Sequence, residues 1–392
     1  RKDEPVTRIS GAWLDNPQTQ AVCAMLTDAG YQALFVGGCV RNALLGVDVN
    51  DIDISTDAHP QAVMDLAADA GLHAIPTGID HGTVTLVSGG IPHEITTFRK
   101  DVETDGRRAV VAFSNNIRDD ACRRDFTMNA LFAQPDGTVV DPLEGMGDLK
   151  KRRVRFIDDA GARIREDYLR ILRFFRFQAW YGDPKLGMDA DALAAIAENT
   201  AGLDSLSKER VGSEMRKLLS APDPAPSVAT MRQVGAMSHI INGSDDRALA
   251  PLIHIEEVFG SSHDPIRRLA VLGGENVAKA LRLSKRDTRL LACLRKGIKS
   301  TETAASLAYR QGAEIALSTL MLRSAVFETP LDSSVFDEIE NGALAEFPIT
   351  SADLMPQFQG VELGQELKRL EAIWIASGFE MDRAALLGKN SD

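Results

Sequence analysis

The sequence predicts an α+β protein, in which an N-terminal head with a mixed sheet and helices precedes an all-helical remainder. Short apolar runs that end at Gly or Pro alternate with helix-like segments over the first part of the chain, about 150 residues long. After Gly161 the apolar residues recur at the three-to-four-residue spacing of amphipathic helices. With 392 residues, the chain is long enough for two to three domains of about 100–200 residues each.

Local signals predict the elements of the head in order. Asn16 and Pro17 are a helix N-cap and a first-turn proline, so they predict a helix that ends at Gly30. Apolar runs then predict strands over 33–36 and 52–55, and helices over 39–45 and from 59–60 to Gly71. Residues 83–87 and 93–98 predict one hairpin, and residues 131–133 and 138–140 predict a second.

Helical periodicity dominates the rest of the chain. Ile164, Tyr168, Ile171 and Phe175 fall at i, i+4, i+7 and i+11, which predicts a helix through these residues. Segments 207–219, 277–294 and 364–376 predict further helices. We therefore expect three parts, which are a head over 1–155, a helical neck over 156–220, and a helical body and tail over 221–392.

Composition and charge exclude several classes of protein. Hydrophobic residues make up 44% of the chain, and no apolar run approaches the roughly 18–20 residues that cross a bilayer, so no membrane partner is expected. The four cysteines are scattered without a CxxC pair, which argues against a zinc site and indicates a reducing cytoplasm. A net charge of −12 argues against coating of nucleic acid through overall charge. The sequence carries no signal for an oligomeric state.

One stretch is nevertheless basic. Residues 150–176 contain ten basic and four acidic residues, a net charge of +6. Such a block is most often a solvated face. Because Phe174, Phe175 and Phe177 lie between the arginines, we interpret it instead as a local binding surface for a polyanion.

The segment LFVGGCVRNALLGVDVNDIDIST carries the clearest chemical signal. A strand runs into Gly37-Gly38 and a helix begins immediately, so a phosphate could approach the backbone at the helix N-terminus. Asp51 and Asp53 are spaced i, i+2 and face the same side of a strand. Two adjacent carboxylates near a phosphate suit Mg²⁺, whereas an isolated DxD is usually two surface acids on an edge strand. Glu94 is a candidate third carboxylate on an adjacent strand.

Together, four ordered motifs resemble those of class II tRNA nucleotidyltransferases and bacterial poly(A) polymerases, which are DNA polymerase β-like nucleotidyltransferases. VGGCVRN and DIDIST match the family patterns GGxVRD and DxDxxT, with Asn42 where the family usually has Asp. RRDFTMNA at 123–130 matches RRDFTxNA, EDYLRILR at 166–173 matches EDxLRxxR, and ERVGSEMRKLL looks like the motif that follows. The match runs from about residue 35 to residue 219.

The resemblance implies roles for individual residues. Residues 1–155 would form the polymerase β-like nucleotidyltransferase head, in which Asp51 and Asp53 are catalytic and hold Mg²⁺, assisted by catalytic Glu94. Asp125 would accept a hydrogen bond from the ribose 2′-hydroxyl. The residues expected to bind the nucleotide are Gly37, Gly38, Arg41, Arg124, Asp125, Asn129, Asp167, Arg170, Arg173 and Arg176.

Base selection is expected in the neck. Asp167 and Arg170 are three residues apart and hence on one helix face, where an ordinary ion pair is the alternative reading. A carboxylate that accepts and a guanidinium that donates match the edges of cytosine and adenine. Guanine and uracil would leave buried polar groups unpaired, at roughly 1–3 kcal/mol each. In the family this helix selects C and A, and Arg173 and Arg176 would extend its basic face toward phosphates.

The sequence therefore predicts a cytoplasmic, CCA-adding tRNA nucleotidyltransferase that performs RNA-directed 3′-end transfer from CTP and ATP without a nucleic-acid template. Two Mg²⁺ ions would promote an in-line attack, and the helical body and tail would bind the tRNA. The polar segment 99–116 lies where the family has a flexible loop linked to the switch from C to A addition, which favours full CCA synthesis.

Other functions remain compatible with the motifs. A poly(A) polymerase, or an enzyme that adds only CC or only A, would carry the same motifs. A non-catalytic RNA-binding protein is disfavoured, because it would have no need for Asp51 and Asp53. His263-Asp264 resembles the HD dyad of metal phosphohydrolases, but without the remaining ligands these two are better explained as loop residues.

Overall fold

A computed structural model describes residues 6–105 and 108–388 of the protein. The chain forms two compact units, Arg1–Ile240 and Ile241–Asp392. The expected fold class is confirmed, because the first unit combines a mixed sheet with helices and the described part of the second is helical. The division into 1–155, 156–220 and 221–392 stays a prediction.

A seven-stranded sheet organises the first unit. Its strands are β1 (Leu34–Val36), β2 (Ile52–Thr56), β3 (His73–Gly78), β4 (Thr83–Ser88), β5 (Ile91–Thr97), β8 (Phe132–Ala133) and β9 (Val139–Val140), while β6 (Arg99–Asp105) and β7 (Arg108–Phe113) form a separate hairpin. The order is β3-β4-β5-β2-β1-β8-β9, and only the β2–β5 pair is parallel. This pair places Asp53 directly opposite Glu94.

Helices precede, connect and follow the strands and continue to the end of the first unit. They are α1 (Pro17–Asp28), α2 (Gly38–Leu45), α3 (Pro60–Asp69), α4 (Ile117–Cys122), α5 (Gly145–Lys150), α6 (Ala160–Glu166), α7 (Leu169–Tyr181), α8 (Ala190–Asn199), α9 (Lys208–Leu219), α10 (Ala225–Gln233) and α11 (Ala236–Ile240). The expected cap is present at α1, where the Asn16 side chain accepts a hydrogen bond from the backbone N–H of Gln18 at 2.9 Å.

Aromatic side chains fill the core around α7. The ring of Phe156 stacks on that of Phe174 with centroids 5.7 Å apart, and Phe126 packs against both. Phe174 and Phe175 are fully buried. Phe174 and Phe175 therefore anchor α7 in the core and are not part of a polyanion-binding surface, whereas Phe177 lies beside arginines at the cavity described below.

The expected strands and hairpins are confirmed within one or two residues, but other elements differ from the expectation. Strand β3 was not expected, because its residues are mostly exposed and show no apolar alternation. Segment 99–116 contains the β6–β7 hairpin, although residues 106–107 lie outside the described residues. The expected helix through Ile164 and Phe175 is two helices, α6 and α7, separated at Asp167.

The second unit is built from α12 (Leu249–Val258), α13 (Pro265–Leu272), α14 (Val277–Ala280), α15 (Lys285–Lys299), α16 (Ala304–Gln311), α17 (Ala313–Phe327), α18 (Val335–Leu344), α19 (Ser351–Leu354), α20 (Gly360–Ala376) and α21 (Arg383–Leu386). Asp264 caps α13 by accepting hydrogen bonds from the N–H groups of Ile266 and Arg267. Asp264 therefore has a structural role as the N-cap of this helix. None of the helices in the described ranges has the length and apolar character needed to cross a bilayer.

Candidate active site

The glycine pair forms the turn between β1 and α2. Gly37 has a φ of 69°, a left-handed backbone conformation that glycine adopts without strain. A Cβ atom at this position would lie 3.2 Å from Nη1 of Arg124, so glycine also leaves room for that side chain. Helix α2 starts at Gly38, and its first N–H groups form a ready site for phosphate oxygens.

Three carboxylates lie beside this turn. Asp51 immediately precedes β2, Asp53 lies within β2, and Glu94 lies opposite Asp53 on β5. Burial, followed by the charge of Glu94, raises the pKa of Asp53 to about 6, and Asp51 adds to the shift, whereas Arg124 opposes it. The expected neighbouring strand for Glu94 is confirmed, and the mutual repulsion of the three groups favours a bound cation.

The site fits a divalent cation that shares its ligands with a substrate. No group of three or more His, Cys, Asp or Glu side chains is arranged to hold a metal within residues 6–105 and 108–388. Mg²⁺ typically binds one or two carboxylates together with water and substrate phosphates, rather than an all-protein cage. Asp51 and Asp53 match that donor set, and both line the same cavity as Gly37 and Gly38.

Arg41 projects from α2 into the cavity and is held from several sides. Its guanidinium lies over the ring of Tyr181 at 4.1 Å and donates to the Tyr181 hydroxyl at 2.9 Å. Nη1 donates to Oδ1 of Asn129, and Nη2 donates to Oδ1 of Asn42 at 2.9 Å. Asn42 in turn donates to the carbonyl of Asp48 at 2.9 Å, which an aspartate at this position could not do.

Asp125 is buried and organises the opposite wall of the cavity. It accepts hydrogen bonds from the Asn129 amide at 2.8 Å, from the Phe126 N–H at 2.9 Å, and from Nε of Arg173 at 2.7 Å. Burial alone would raise the pKa of Asp125, but the charge of Arg173 and these hydrogen bonds lower it below its usual value. Asn129 and Phe126 both donate to Oδ1, and Nε and Nη2 of Arg173 both contact Oδ2, so the four acceptor sites of the carboxylate are taken. Contact with a ribose hydroxyl therefore requires one of these donors to be exchanged.

Arg124 packs against the sheet and lines the same cavity as Asp51 and Asp53. Its Nη2 atom donates to Asp120 at 2.9 Å and to Ser55 at 3.3 Å, and its guanidinium lies 5.3 Å from the centre of the Phe132 ring. The Arg124 side chain is 23% exposed and lines the cavity. Arg124 can therefore donate to a phosphate there.

Asp167 and Arg170 both line the cavity, but not as the sequence predicted. Asp167 has an extended backbone, with a φ of −154°, between α6 and α7, and its Oδ1 atom accepts from the Leu169 N–H. The expectation that the two side chains share one helix face is therefore wrong, and they do not pair with each other. Asp167 instead pairs with Arg210 of α9 at 2.6 Å, and Arg170 pairs with Glu166.

Carboxylates also neutralise much of the basic stretch 150–176. Arg176, only 14% exposed, pairs with the buried Glu214 at 2.6 Å, and Arg173 pairs with Asp125. Further pairs are Arg153–Asp189, Arg155–Asp148 and Arg163–Glu166. Arg173 and Arg176 thus face the cavity rather than an open surface, so we expect them to act on the nucleotide.

The cavity itself has a volume of about 610 Å³. Eight arginines and four aspartates contribute to its lining, which gives it a positive balance suited to a triphosphate. A neighbouring cavity of about 680 Å³ shares Asp51 and Asp53 and is also lined by Glu94 and Lys217. Asp51 and Asp53 therefore line two neighbouring cavities, each of which could hold one of two substrates.

Sequence reasoning missed several residues that line the first cavity, namely Arg99, Arg123, Leu169 and Arg210. Arg210 could have been found, since it lies in the motif ERVGSEMRKLL that already pointed to the family. Tyr181, which holds Arg41, carries no signal of this kind in the sequence.

Comparison with known proteins identifies two matching families and several similar proteins. Residues 33–155 match the family described as the poly A polymerase head domain, and residues 186–246 match the probable RNA and SrmB- binding site of polymerase A. A mouse protein named mitochondrial CCA tRNA nucleotidyltransferase 1 is 32% identical over 94% of this chain and 88% of its own length. The CCA-adding enzyme of Limosilactobacillus fermentum is 40% identical over 50% of this chain and 48% of its own.

Among solved structures, the Bacillus stearothermophilus CCA-adding enzyme in complex with CTP is similar. It superposes with a TM-score of 0.73 and 27% sequence identity, covering 95% of this chain and 97% of that one.

Proposed function

The chain belongs to the family of CCA tRNA nucleotidyltransferases and bacterial poly(A) polymerases, and from that premise we propose that it adds CCA to the 3′ ends of tRNA from CTP and ATP. The observation that carries the proposal is the Asp51–Asp53 pair, which lies beside a glycine turn in an arginine-rich cavity. The relatives that match this chain over most of its length bear the name CCA tRNA nucleotidyltransferase 1, which supports tRNA as the acceptor rather than arbitrary RNA.

The reaction is a nucleotidyl transfer. The terminal 3′-hydroxyl of the tRNA attacks the α-phosphorus of the nucleotide, a new oxygen–phosphorus bond forms, and pyrophosphate leaves in line. Divalent cations are a general requirement of this family. We propose Mg²⁺, held by Asp51 and Asp53, which would lower the pKa of the attacking hydroxyl and neutralise the leaving pyrophosphate.

The chain's own residues would position the triphosphate. The N–H groups at the start of α2 can donate to its oxygens, and Arg41 and Arg124 can neutralise its charge. Asp125 would act mainly by fixing Arg173 and Asn129, in line with the donors that already fill its oxygens. Glu94 would keep negative charge beside Asp53 and so strengthen cation binding.

Base selection is proposed to rest on Asp167 and Arg170. Glu166 and the carbonyls of Arg163 and Arg123 hold the Arg170 guanidinium, so two of its five N–H groups make no hydrogen bond within the described residues. Arg210 holds one oxygen of Asp167 and fixes its direction. A donor and an acceptor fixed in this way match cytosine and adenine but oppose the carbonyl and N–H of uracil and guanine.

Three RNAs distinguish the proposal from its alternatives. The purified protein is incubated with a tRNA that ends before CCA, a tRNA that ends in CC, and an unrelated RNA, with CTP and ATP supplied separately and together. CCA addition predicts that the first tRNA is extended by three nucleotides and the second by one A, while the unrelated RNA is not extended. A poly(A) polymerase would extend all three with A, and an enzyme specific for CC or A would extend only one tRNA.

The metal assignment is tested in the same assay. EDTA should abolish addition to both tRNAs, and excess Mg²⁺ should restore it. Full activity in EDTA would overturn the role of Asp51 and Asp53. A cytoplasmic location stays a prediction, because the relatives include proteins named as mitochondrial.

A further inference from the structure

Arg41 is a buried cation whose contacts within the described residues include no carboxylate. The residue is 6% exposed, and its side-chain hydrogen bonds go to Asn42, Asn129 and Tyr181, which are all uncharged. Other arginines of the larger cavity are each paired with a carboxylate, namely Arg124, Arg170, Arg173, Arg176 and Arg210. Arg41 therefore keeps a positive charge that its own contacts do not neutralise.

This charge is unfavourable unless an anion binds beside it. Burial lowers the pKa of Arg41, and the charge of Arg176 adds to the shift. A guanidinium nevertheless stays protonated in proteins, so the fold carries the cost of a buried charge. Four of its five N–H groups donate to the three uncharged partners, and one on Nη1 makes no hydrogen bond within the described residues. That N–H is available to a phosphate oxygen.

Tyr181 holds the Arg41 guanidinium from outside the larger cavity. It is the last residue of α7, and it is not among the described residues that line the cavity of about 610 Å³. Instead it lines a separate cavity of about 210 Å³, together with Arg41 and Asn42. Cζ of Arg41 lies 4.1 Å from the centre of the Tyr181 ring, and the Tyr181 hydroxyl accepts from Nη2 at 2.9 Å. The ring contact and the hydrogen bond together fix the orientation of the guanidinium plane.

A second aromatic ring on α7 supports this contact. Phe177 lies one turn before Tyr181, with the ring centres 5.3 Å apart, and Cζ of Arg41 lies 5.1 Å from the Phe177 ring. Phe177 is only 2% exposed and packs against Phe126, so it gives Tyr181 a rigid neighbour. At about 100° per residue, Arg170, Phe177 and Tyr181 fall within about 40° of arc around the helix axis. One face of α7 thus carries Arg170 near its start and the support of Arg41 at its end.

We propose that Tyr181 is a positioning residue that directs the guanidinium of Arg41 toward the triphosphate. The proposal rests on the proposed function, and it concerns a residue between the two family matches, at 33–155 and 186–246. Because Tyr181 acts through Arg41, it sets the affinity for phosphate groups and leaves the choice of base unchanged. If Tyr181 merely packed α2 against α7, its loss would shift α7 and would disturb Arg170 as well.

The test compares two substitutions in the full-length protein. Tyr181→Phe removes the hydroxyl and keeps the ring, whereas Tyr181→Leu removes both. Binding of inorganic tripolyphosphate is measured by isothermal titration calorimetry in excess Mg²⁺, whose contribution cancels when variants are compared. Tyr181→Phe should raise the Kd about three- to tenfold, the size of one lost hydrogen bond, and Tyr181→Leu should raise it further. Circular dichroism checks the fold, and an unchanged Kd in Tyr181→Phe together with any folded Tyr181→Leu protein would overturn the proposal.

A background that lacks Arg41 separates positioning from packing. In a protein that already carries Arg41→Gln, Tyr181→Phe should not raise the Kd for tripolyphosphate further, because the group that Tyr181 orients is missing. The measurement is made at low salt so that the weakened binding stays measurable. An equal fold-change with and without Arg41 would mean that Tyr181 acts independently of Arg41, and it would overturn the proposal.

Two control variants each lose one hydrogen bond from an aromatic side chain. Trp180, next to Tyr181, donates to the carbonyl of Lys217 at 2.8 Å, and Tyr309 of the second unit donates to Glu371 at 2.7 Å. Trp180→Phe and Tyr309→Phe should both bind tripolyphosphate as the unaltered protein does. A loss in Trp180→Phe equal to that in Tyr181→Phe would assign the effect to the end of α7 rather than to Arg41.

Kinetics separate this proposal from the proposed function. In the tRNA assay, Tyr181→Phe should raise the KM for CTP and for UTP by the same factor, so the ratio of kcat/KM for the two nucleotides stays constant. A reduced ratio would overturn a role confined to the phosphates. If the unaltered protein added no nucleotide to tRNA, the proposed function would fail, yet tripolyphosphate binding would still test Tyr181.

Discussion

Replacing Asp53 by Asn should have two opposite effects, a loss of nucleotide addition and a gain in stability without metal. In the folded protein, burial and the charge of Glu94 raise the pKa of Asp53 to about 6 from its ordinary value of 3.8. The folded state therefore holds this proton more tightly than the unfolded state does. The stabilising contribution of the protonated group is lost as the pH rises from about 4 through about 6. Above that range the ionised carboxylate destabilises the fold.

The size of the effect follows from the pKa. A difference of about two units corresponds to about 3 kcal/mol at 1.36 kcal/mol per unit. Solvent reaches part of the side chain and reduces this value, so we expect Asp53→Asn to raise the free energy of unfolding by about 1–2 kcal/mol at pH 8. The gain should shrink toward zero as the pH falls below about 4, because Asp53 then becomes protonated in the unfolded state as well as in the folded state.

Urea unfolding in EDTA at pH 4, 6 and 8 measures the effect. Asp15→Asn serves as the control, since Asp15 is exposed and a surface change of this kind shifts stability by less than about 0.5 kcal/mol. Excess Mg²⁺ should then stabilise the unaltered protein by mass action but leave Asp53→Asn unchanged. If Asp53→Asn were no more stable than the unaltered protein at pH 8, or responded equally to Mg²⁺, the strained cation site would be refuted.

Three further substitutions test how the cavity binds and selects the nucleotide. Asp167→Ala should raise the activation free energy for CTP by about 1.5–3 kcal/mol, which lowers kcat/KM roughly 10- to 150-fold, and it should reduce the preference for CTP over UTP. An unchanged ratio of kcat/KM for CTP over UTP would assign base selection to other residues. Arg210→Gln should reduce the same ratio by a smaller factor, because it releases Asp167 without removing it, and an effect on KM for tRNA alone would contradict this role. Asp125→Asn should lower kcat/KM for CTP and for dCTP alike, since it loosens Arg173 rather than a sugar contact; a selective loss with CTP would instead favour a bond to the 2′-hydroxyl.

Much of the head was predictable because its signals are local. The strand before Gly37, the helix after it and the strand that carries Asp53 each follow from a few adjacent residues. Glu94 was harder, since its pairing with Asp53 depends on a parallel register between strands that are distant in the chain. The spacing of the motif predicted where Asp51 and Asp53 lie, and the pairing of β2 with β5 brings Glu94 opposite Asp53.

Contacts distant in sequence account for what the sequence did not predict. The helical stripe through Ile164 and Phe175 continues across Asp167, so periodicity alone could not reveal the break between α6 and α7. Glu214 neutralises Arg176 although the two residues are 38 positions apart in the sequence. Arg210 pairs with Asp167, which is 43 positions away. A count of charges in the sequence treats all these arginines alike, whereas the fold decides which of them remain accessible.

In the proposed reaction, a protein cavity rather than a nucleic-acid template directs the synthesis of CCA. Its most direct test supplies a tRNA that ends before CCA with CTP, ATP, UTP and GTP at equal concentrations and sequences the 3′ ends of the products. We expect nearly all products to end in CCA and to grow no further. Products with mixed bases, or with A tails that continue to lengthen, would contradict it.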